Sequence, residues 1–312
     1  MVVAALPDDL ASAIPTPARA DRRTLSVLRA YFMLTKPRVI ELLLVTTVPA
    51  MVIAAGKLPG IGLIGAVLLG GALSAGGANT INCWIERDRD QVMKRTHSRP
   101  LPQGDVSPQA ALIFGLALEA IAFAWLAITV NLLSATLSVT AMLFYIFVYT
   151  IWLKPRSPQN IVIGGAAGAV PALVGWASVT GSLAVPAWIM FAIVFCWTPP
   201  HFWALSVRYR DDYAKAGIPM LPVVIGIAAA SRQILVYAVV TVVVSLALVP
   251  ASNVGWIYGI AALVTGGMFV AGAARLVVEP TPERAMKLFH YSNTYLALLF
   301  VAIAVDVLVR AG

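Results

Sequence analysis

Nine stretches of this chain stay apolar for long enough to cross a bilayer: about 39–56, 61–83, 108–128, 131–153, 160–179, 185–206, 230–250, 254–274 and 292–309. A transmembrane helix needs roughly 20 such residues, and a backbone in lipid has to satisfy its own N–H and C=O groups. The chain therefore reads as an all-α polytopic membrane protein. Only 12% of its 312 residues are charged, against roughly a quarter in soluble domains. Two boundaries are the least marked. Between the third run and the fourth only Val130 and Asn131 offer a turn, and Ile218–Ala230 reads either as a re-entrant segment or as the start of the seventh helix.

The net charge of +8 falls on short segments between the runs, which is how lysine and arginine set topology. With the amino terminus in the cytoplasm, the cytoplasmic segments hold 20 of the 22 basic residues, leaving Lys57 and Arg310 for the other side. This division predicts nine helices with the amino terminus inside and the carboxyl terminus in the periplasm. No basic patch interleaved with aromatics points to a nucleic acid. Residues 1–35, with Pro7, Pro15, Pro17 and four arginines, read as a cytoplasmic, partly disordered arm without a cleavable signal. Residues 36–312 read as one transmembrane domain. Its two most acidic cytoplasmic segments follow the second and sixth runs, suggesting two related four-helix halves plus a ninth helix. Cys83 and Cys196 form neither a metal motif nor a disulfide framework. Gly76, Gly77, Gly164, Gly165 and Gly168 are expected to permit close helix packing.

The densest chemistry lies between Gly76 and Pro102, where an apolar helix runs into Asn82, Glu86, Asp88 and Asp90 and then Lys94, Arg95 and Arg99. Asn82, Glu86 and Asp90 are spaced i, i+4 and i+8, so a continuing helix places them along one face. Oxygen donors at that spacing suit a hard cation such as Mg²⁺, whose shell phosphate oxygens and water complete. The bases downstream suit the phosphates themselves. A solvated turn of locally paired charges is the plainer reading, but carboxylates where a helix leaves the apolar layer are costly unless paired or functional. A diphosphate held between this segment and the second acidic one, its hydrocarbon tail in lipid, accounts for both.

The spacing at Asn82, Glu86 and Asp90 resembles the NxxxDxxxD signature of the UbiA-type intramembrane prenyltransferases, typified by the 4-hydroxybenzoate polyprenyltransferases. MKRTHSRPLP (Met93–Pro102), YTIWLKP (Tyr149–Pro155), QNIVIGGAAGAVPALVGW (Gln159–Trp176), TPPHFWALS (Thr198–Ser206) and DDYAKAGIPMLPVV (Asp211–Val224) are similar to the protohaem IX farnesyltransferase (haem O synthase) branch of that family. The opening LTKPRVIELLL (Leu34–Leu44) is similar too, and the likeness extends from about Tyr31 to Ser292.

That resemblance implies nine transmembrane helices around a central cavity, in the bacterial inner membrane with the active-site loops on the cytoplasmic side. It implies transfer of the farnesyl group of farnesyl diphosphate to a vinyl group of haem B, giving haem O. Haem A synthase and the assembly of terminal oxidases are the implied partners, beside membrane lipid. Mg²⁺ is the implied cofactor, with Asn82, Glu86, Asp90 and Asp212 as its ligands, Arg95, Arg99 and Lys215 on the diphosphate, and Tyr149 and Lys154 matching a tyrosine–lysine pattern that reaches it. Glu86 stands where the family has Asp, with Asp88 as the second choice. The family's second DxxxD is here the adjacent pair Asp211 and Asp212, of which Asp212 is favoured. His201 is the candidate for contacting haem, His97 its alternative, and His290 reads as a loop residue. Lys36 and Arg38 read as topology determinants. Two other functions fit parts of the pattern: prenylation of an aromatic or quinone ring, against which TPPHFWALS and AGIPMLPVV argue, and transport, which usually places ionisable residues near the bilayer midplane rather than at one surface.

Overall fold

Helices follow from the apolar runs because lipid offers the backbone no hydrogen-bonding partner. In the computed structural model the described residues are 17–311; side chains are described from residue 26 onward, except those of 38, 39 and 41–44. All regular elements among them are helical. In order they are α1 (Pro17–Leu34), α2 (Pro37–Ala55), α3 (Ile61–Val92), α4 (Pro100–Gln103), α5 (Pro108–Thr129), α6 (Leu132–Leu143, continued by a π-helical segment Phe144–Leu153), α7 (Asn160–Thr180), α8 (Val185–Arg208), α9 (Arg210–Lys215), α10 (Leu221–Ile225), α11 (Ile227–Ala251), α12 (Trp256–Val278) and α13 (Pro282–Ala311). Eight of the helices are long and apolar enough to cross a membrane, by length and composition. Helix α2 stands at the first predicted run; its 19 residues include the undescribed side chains, and its described apolar part is Val45–Ala55.

The chain punctuates its helices with the expected residues. Ser107 and Asn131 cap α5 and α6, accepting from the N–H groups of Ala110 and Ser134. Asn131 also donates to Ala177 O of α7 at 2.8 Å, so a two-residue break, Val130 and Asn131, suffices between α5 and α6. Ile218–Ala230 is neither simply re-entrant nor a plain helix start: it is the short α10, a break at Gly226 with φ 80°, and then α11. Two helices overrun the apolar pattern. Helix α13 begins ten residues before the ninth run, so His290 is an exposed helix residue and not a loop residue. Helix α3 has 32 residues, about 48 Å at 1.5 Å per residue, against a hydrocarbon layer of about 30 Å. Its last turns therefore carry Asn82, Glu86 and Asp90 out on one continuous helix.

More than half of the membrane-length windows of α7 and α8 is buried, against about a quarter in α5, α11 and α12, so α7 and α8 are the inner helices. Helix α2 packs on α7, α7 on α8, α8 on α13, and α13 back on α2. Gly175 permits the α2–α7 contact, since a Cβ there would lie 2.4 Å from Thr47 O. Helix α3 packs chiefly on α5, where a Cβ on Gly77 would meet Gly115 O at 2.8 Å. Gly76 lies against Thr35, Gly164 against Tyr149 and Gly165 against Thr198, whereas Gly168 faces open space. Helix α1 packs on α3 and α4 through Ala30 and Leu34, which join Cys83 and Leu101 in a small apolar cluster. The disordered tip expected of the arm lies outside the described residues.

Candidate active site

On α3 the side chains of Asn82, Glu86 and Asp90 are 1%, 4% and 3% exposed, while Asp88 points outward and contacts only its neighbour Arg87, at 3.7 Å. The i, i+4, i+8 face is thus buried and the intervening acid is not. Burying carboxylates is tolerated only with partners, and each of the three donors has a basic one. Lys36 Nζ donates to Asn82 Oδ1 at 2.6 Å. The Lys154 ammonium pairs with Glu86. Arg99 Nη1 donates to Asp90 Oδ2 at 2.7 Å.

These bases come from three elements, each shaped for the purpose. Lys36 sits at the elbow between α1 and α2 with φ 54°, the one non-glycine residue with positive φ among the described residues. A side chain disfavours that conformation, and a following proline keeps the residue out of the right-handed helix. Helix α3 holds the elbow in place: Asn79 Nδ2 donates to Thr35 O at 3.0 Å, and Cys83 Sγ lies 4.0 Å from Leu34 O. Lys154 follows the π-helical segment, whose i→i+5 pattern closes with Lys154 N donating to Tyr149 O at 2.8 Å. The wider turn also stacks Tyr145 on Tyr149, centroids 5.5 Å apart, and aims Thr150 Oγ1 at Asn82, which donates to it at 3.0 Å. Arg99 lies in the loop that folds back beneath α3, where Thr96 Oγ1 donates to Asp90 O at 3.1 Å.

The surroundings treat these charges differently. Burial pushes the Lys36 amine below the ordinary lysine range. Burial acts on Lys154 in the same direction, but the Glu86 carboxylate beside it more than reverses the effect and raises it. Arg99 is likewise opposed by burial and raised by Asp90.

The second acidic segment lies at the same end of the molecule. Arg95 Nη2 donates to the Tyr213 hydroxyl at 3.2 Å, and its guanidinium lies over the rings of Tyr209 and Tyr213 at 5.7 and 5.8 Å. This tie brings α9 to the loop after α3. On α9 Asp212 is buried while Asp211 and Lys215 are exposed. The two histidines lie apart from these pairs. His201 is buried on α8, its Nδ1 2.7 Å from Ser292 Oγ of α13 and its ring stacked between Trp197 (4.2 Å) and Phe289 (4.5 Å). His97 is exposed and donates from Nδ1 to Lys94 O at 2.8 Å. Lys36, Thr150, Tyr145 and Asn79 were not singled out as site residues by the sequence. The available signal was the Lys36–Pro37 pair, which cannot continue α1 and has to turn the lysine.

Among the described residues no three of His, Cys, Asp and Glu stand close enough to hold a metal ion by themselves. The donor chemistry nevertheless fits Mg²⁺: the buried face of α3 offers hard oxygens, and such a cation needs only a few from the protein when phosphate supplies the rest.

Residues 43–302 match the UbiA prenyltransferase family. The chain belongs to that family. It is 52% identical over 295 residues to a protoheme IX farnesyltransferase of Clavibacter michiganensis, covering 93% of this chain and 96% of that one. It is 54% identical over 298 residues to protoheme IX farnesyltransferase 1 of Saccharopolyspora erythraea, covering 95% and 94%. Its backbone is similar, with a TM-score of 0.62 at 18% identity, to a UbiA homologue from Archaeoglobus fulgidus solved with GPP and Mg²⁺, covering 88% of this chain and 99% of that one. Family members share the helical architecture at identities where little of the sequence survives, so the likeness to the farnesyltransferases is the more informative for chemistry.

Proposed function

We propose that this protein transfers the farnesyl group of farnesyl diphosphate to a vinyl group of haem B, giving haem O and diphosphate, at the cytoplasmic end of nine membrane spans. What carries the reading is the buried Asn82–Glu86–Asp90 face with a base on each donor, in a chain more than half identical over nearly its whole length to farnesyltransferases of haem.

The diphosphate lies along the acidic face of α3, where Lys36, Lys154, Arg95 and Arg99 grip its oxygens and Lys215 approaches from α9. Asn82, Glu86, Asp90 and Asp212 would hold Mg²⁺, whose charge, when bound, stabilises the departing diphosphate. The C1–O bond of the farnesyl chain breaks with its electron pair leaving on oxygen. The allylic cation is attacked by the electron-rich vinyl carbon of the porphyrin, and water adds to the new cation and loses a proton, giving the hydroxyethylfarnesyl chain. Tyr145 and Tyr149 flank this end of the site; rings there keep water from the allylic carbon before the vinyl group reaches it. His201 serves the porphyrin end by holding α8 to α13 through Ser292, with no demand that it reach the iron.

Purified protein incubated with Mg²⁺, farnesyl diphosphate and either haem B or 4-hydroxybenzoate tests the reading. The expected product is a pigment heavier by one farnesyl group and one hydroxyl group. Alkylation of the phenol alone, with haem B untouched, overturns it.

A further inference from the structure

Each donor of the proposed metal site is paired with a cation of the protein itself: Asn82 with Lys36, Glu86 with Lys154 and Asp90 with Arg99. Resting on the function proposed above, we infer that these three bases are placeholders that make the metal site conditional, so that divalent metal and diphosphate bind only as a couple.

The argument is electrostatic. The carboxylates of Glu86 and Asp90 are about 5% exposed or less, and their partners Lys154 and Arg99 are 14% and 25% exposed. A divalent ion arriving alone either sits beside Lys154 and Arg99, like charge against like, or drives them off their carboxylates. Both courses leave buried charge without a counterion, which is the costly outcome for a pair out of water. A diphosphate arriving alone meets the same bases but also two carboxylates of its own sign. When both arrive, partners are exchanged without loss: the carboxylates pass to the metal and the three bases pass to phosphate oxygens. The bases are able to make that exchange because none is rooted in α3's acidic face. Lys36 swings from the α1–α2 elbow, Lys154 from the end of the π-helical segment, and Arg99 from the loop before α4. A coupling of this kind is reciprocal, so each ligand raises the affinity for the other by one factor.

The test uses the full-length protein in detergent with Mn²⁺ as a paramagnetic stand-in, free Mn²⁺ being counted by electron paramagnetic resonance. Wild type is expected to load Mn²⁺ with inorganic pyrophosphate present and to bind Mn²⁺ alone weakly, the two affinities differing by about 5- to 150-fold, the usual range for coupled sites. Lys154→Gln and Arg99→Gln free their carboxylates, so each is expected to bind Mn²⁺ alone more tightly than wild type, a gain that misfolding cannot mimic. Adding Glu86→Gln to the first or Asp90→Asn to the second should cancel the gain. Equal Mn²⁺ affinity with and without pyrophosphate in wild type, or no gain in either variant, overturns the inference while leaving the farnesyl transfer intact. If no form loads Mn²⁺ even with pyrophosphate, the metal site and the inference fall together.

Discussion

Lys36, Lys154 and Arg99 meet one acidic face, yet their charges respond oppositely to the protein around them. For Lys36 burial dominates and disfavours the charged form, so its proton leaves at a lower pH than from a free lysine. Lys154 and Arg99 are shifted upward by the carboxylates they touch and stay charged. The alkaline limb of activity is therefore expected to belong to Lys36: as pH rises, farnesyl diphosphate binding weakens first through loss of that charge. Lys36→Arg should move the limb to higher pH, and a pH profile of KM in the two proteins checks it; an unmoved limb assigns it elsewhere. The acids separate just as sharply. Asp90→Asn removes the charge facing Arg99 and one proposed metal ligand, so turnover should fall by at least about 100-fold, as when a preorganised charge is removed from a reacting site. Asp88 is 81% exposed, and Asp88→Asn should leave turnover within about twofold, since an exposed pair contributes little.

At the scale of the elements, much of the fold was legible because hydropathy alone marks a span: seven of the observed helices, counting α6 with its π-helical continuation, both begin and end within a few residues of a predicted run. What was not legible has physical reasons. The π-helical segment has the same apolar content as an α-helix, and nothing in FYIFVYTIWL announces that its hydrogen bonds run to the fifth residue; yet that turn decides where Thr150 and Lys154 stand. Glu86 and Asp90 were readable as one face only on the assumption that α3 continues past its apolar part, which it does. The bond from Lys36 to Asn82 was not legible, because a lysine beside a membrane usually sets topology and this contact depends on a backbone conformation held from α3 by Asn79. Two contacts between elements give stability predictions. Gly77→Leu drives side-chain carbons into Gly115 O and the Glu119 side chain and should cost about 1–3 kcal/mol, as overpacking does, with activity lost because α3 carries the site. Asp306 of α13 accepts from Gly255 N at 2.7 Å and Tyr258 N at 2.9 Å, capping α12 from a neighbouring helix. Asp306→Ala should cost about 0.5–2 kcal/mol, as loss of a cap does, seen as a lower Tm with kcat unchanged, because this cap sits far from the bases.

The whole molecule is polarised, and its topology follows from which ends carry which residues. Helices α3, α6 and α8 all run toward the end that gathers Asp90, Lys154 and α9, while α2, α5, α7, α11 and α13 start from it. The opposite end holds the Asp306 cap and Arg310, which donates to Asn253 O at 3.0 Å. Since 20 of the 22 basic residues lie at the first end or on the arm leading to it, the positive-inside rule predicts that end in the cytoplasm. The proposed nine spans would then oblige the two termini to lie on opposite sides. A fluorescent protein that matures only in the cytoplasm should glow when joined to the amino terminus and stay dark after Gly312. Alkaline phosphatase, which needs disulfides formed outside the cytoplasm, should do the reverse. Fluorescence from both fusions would mean an even number of crossings, and would remove α2 or another helix from the set that spans the membrane.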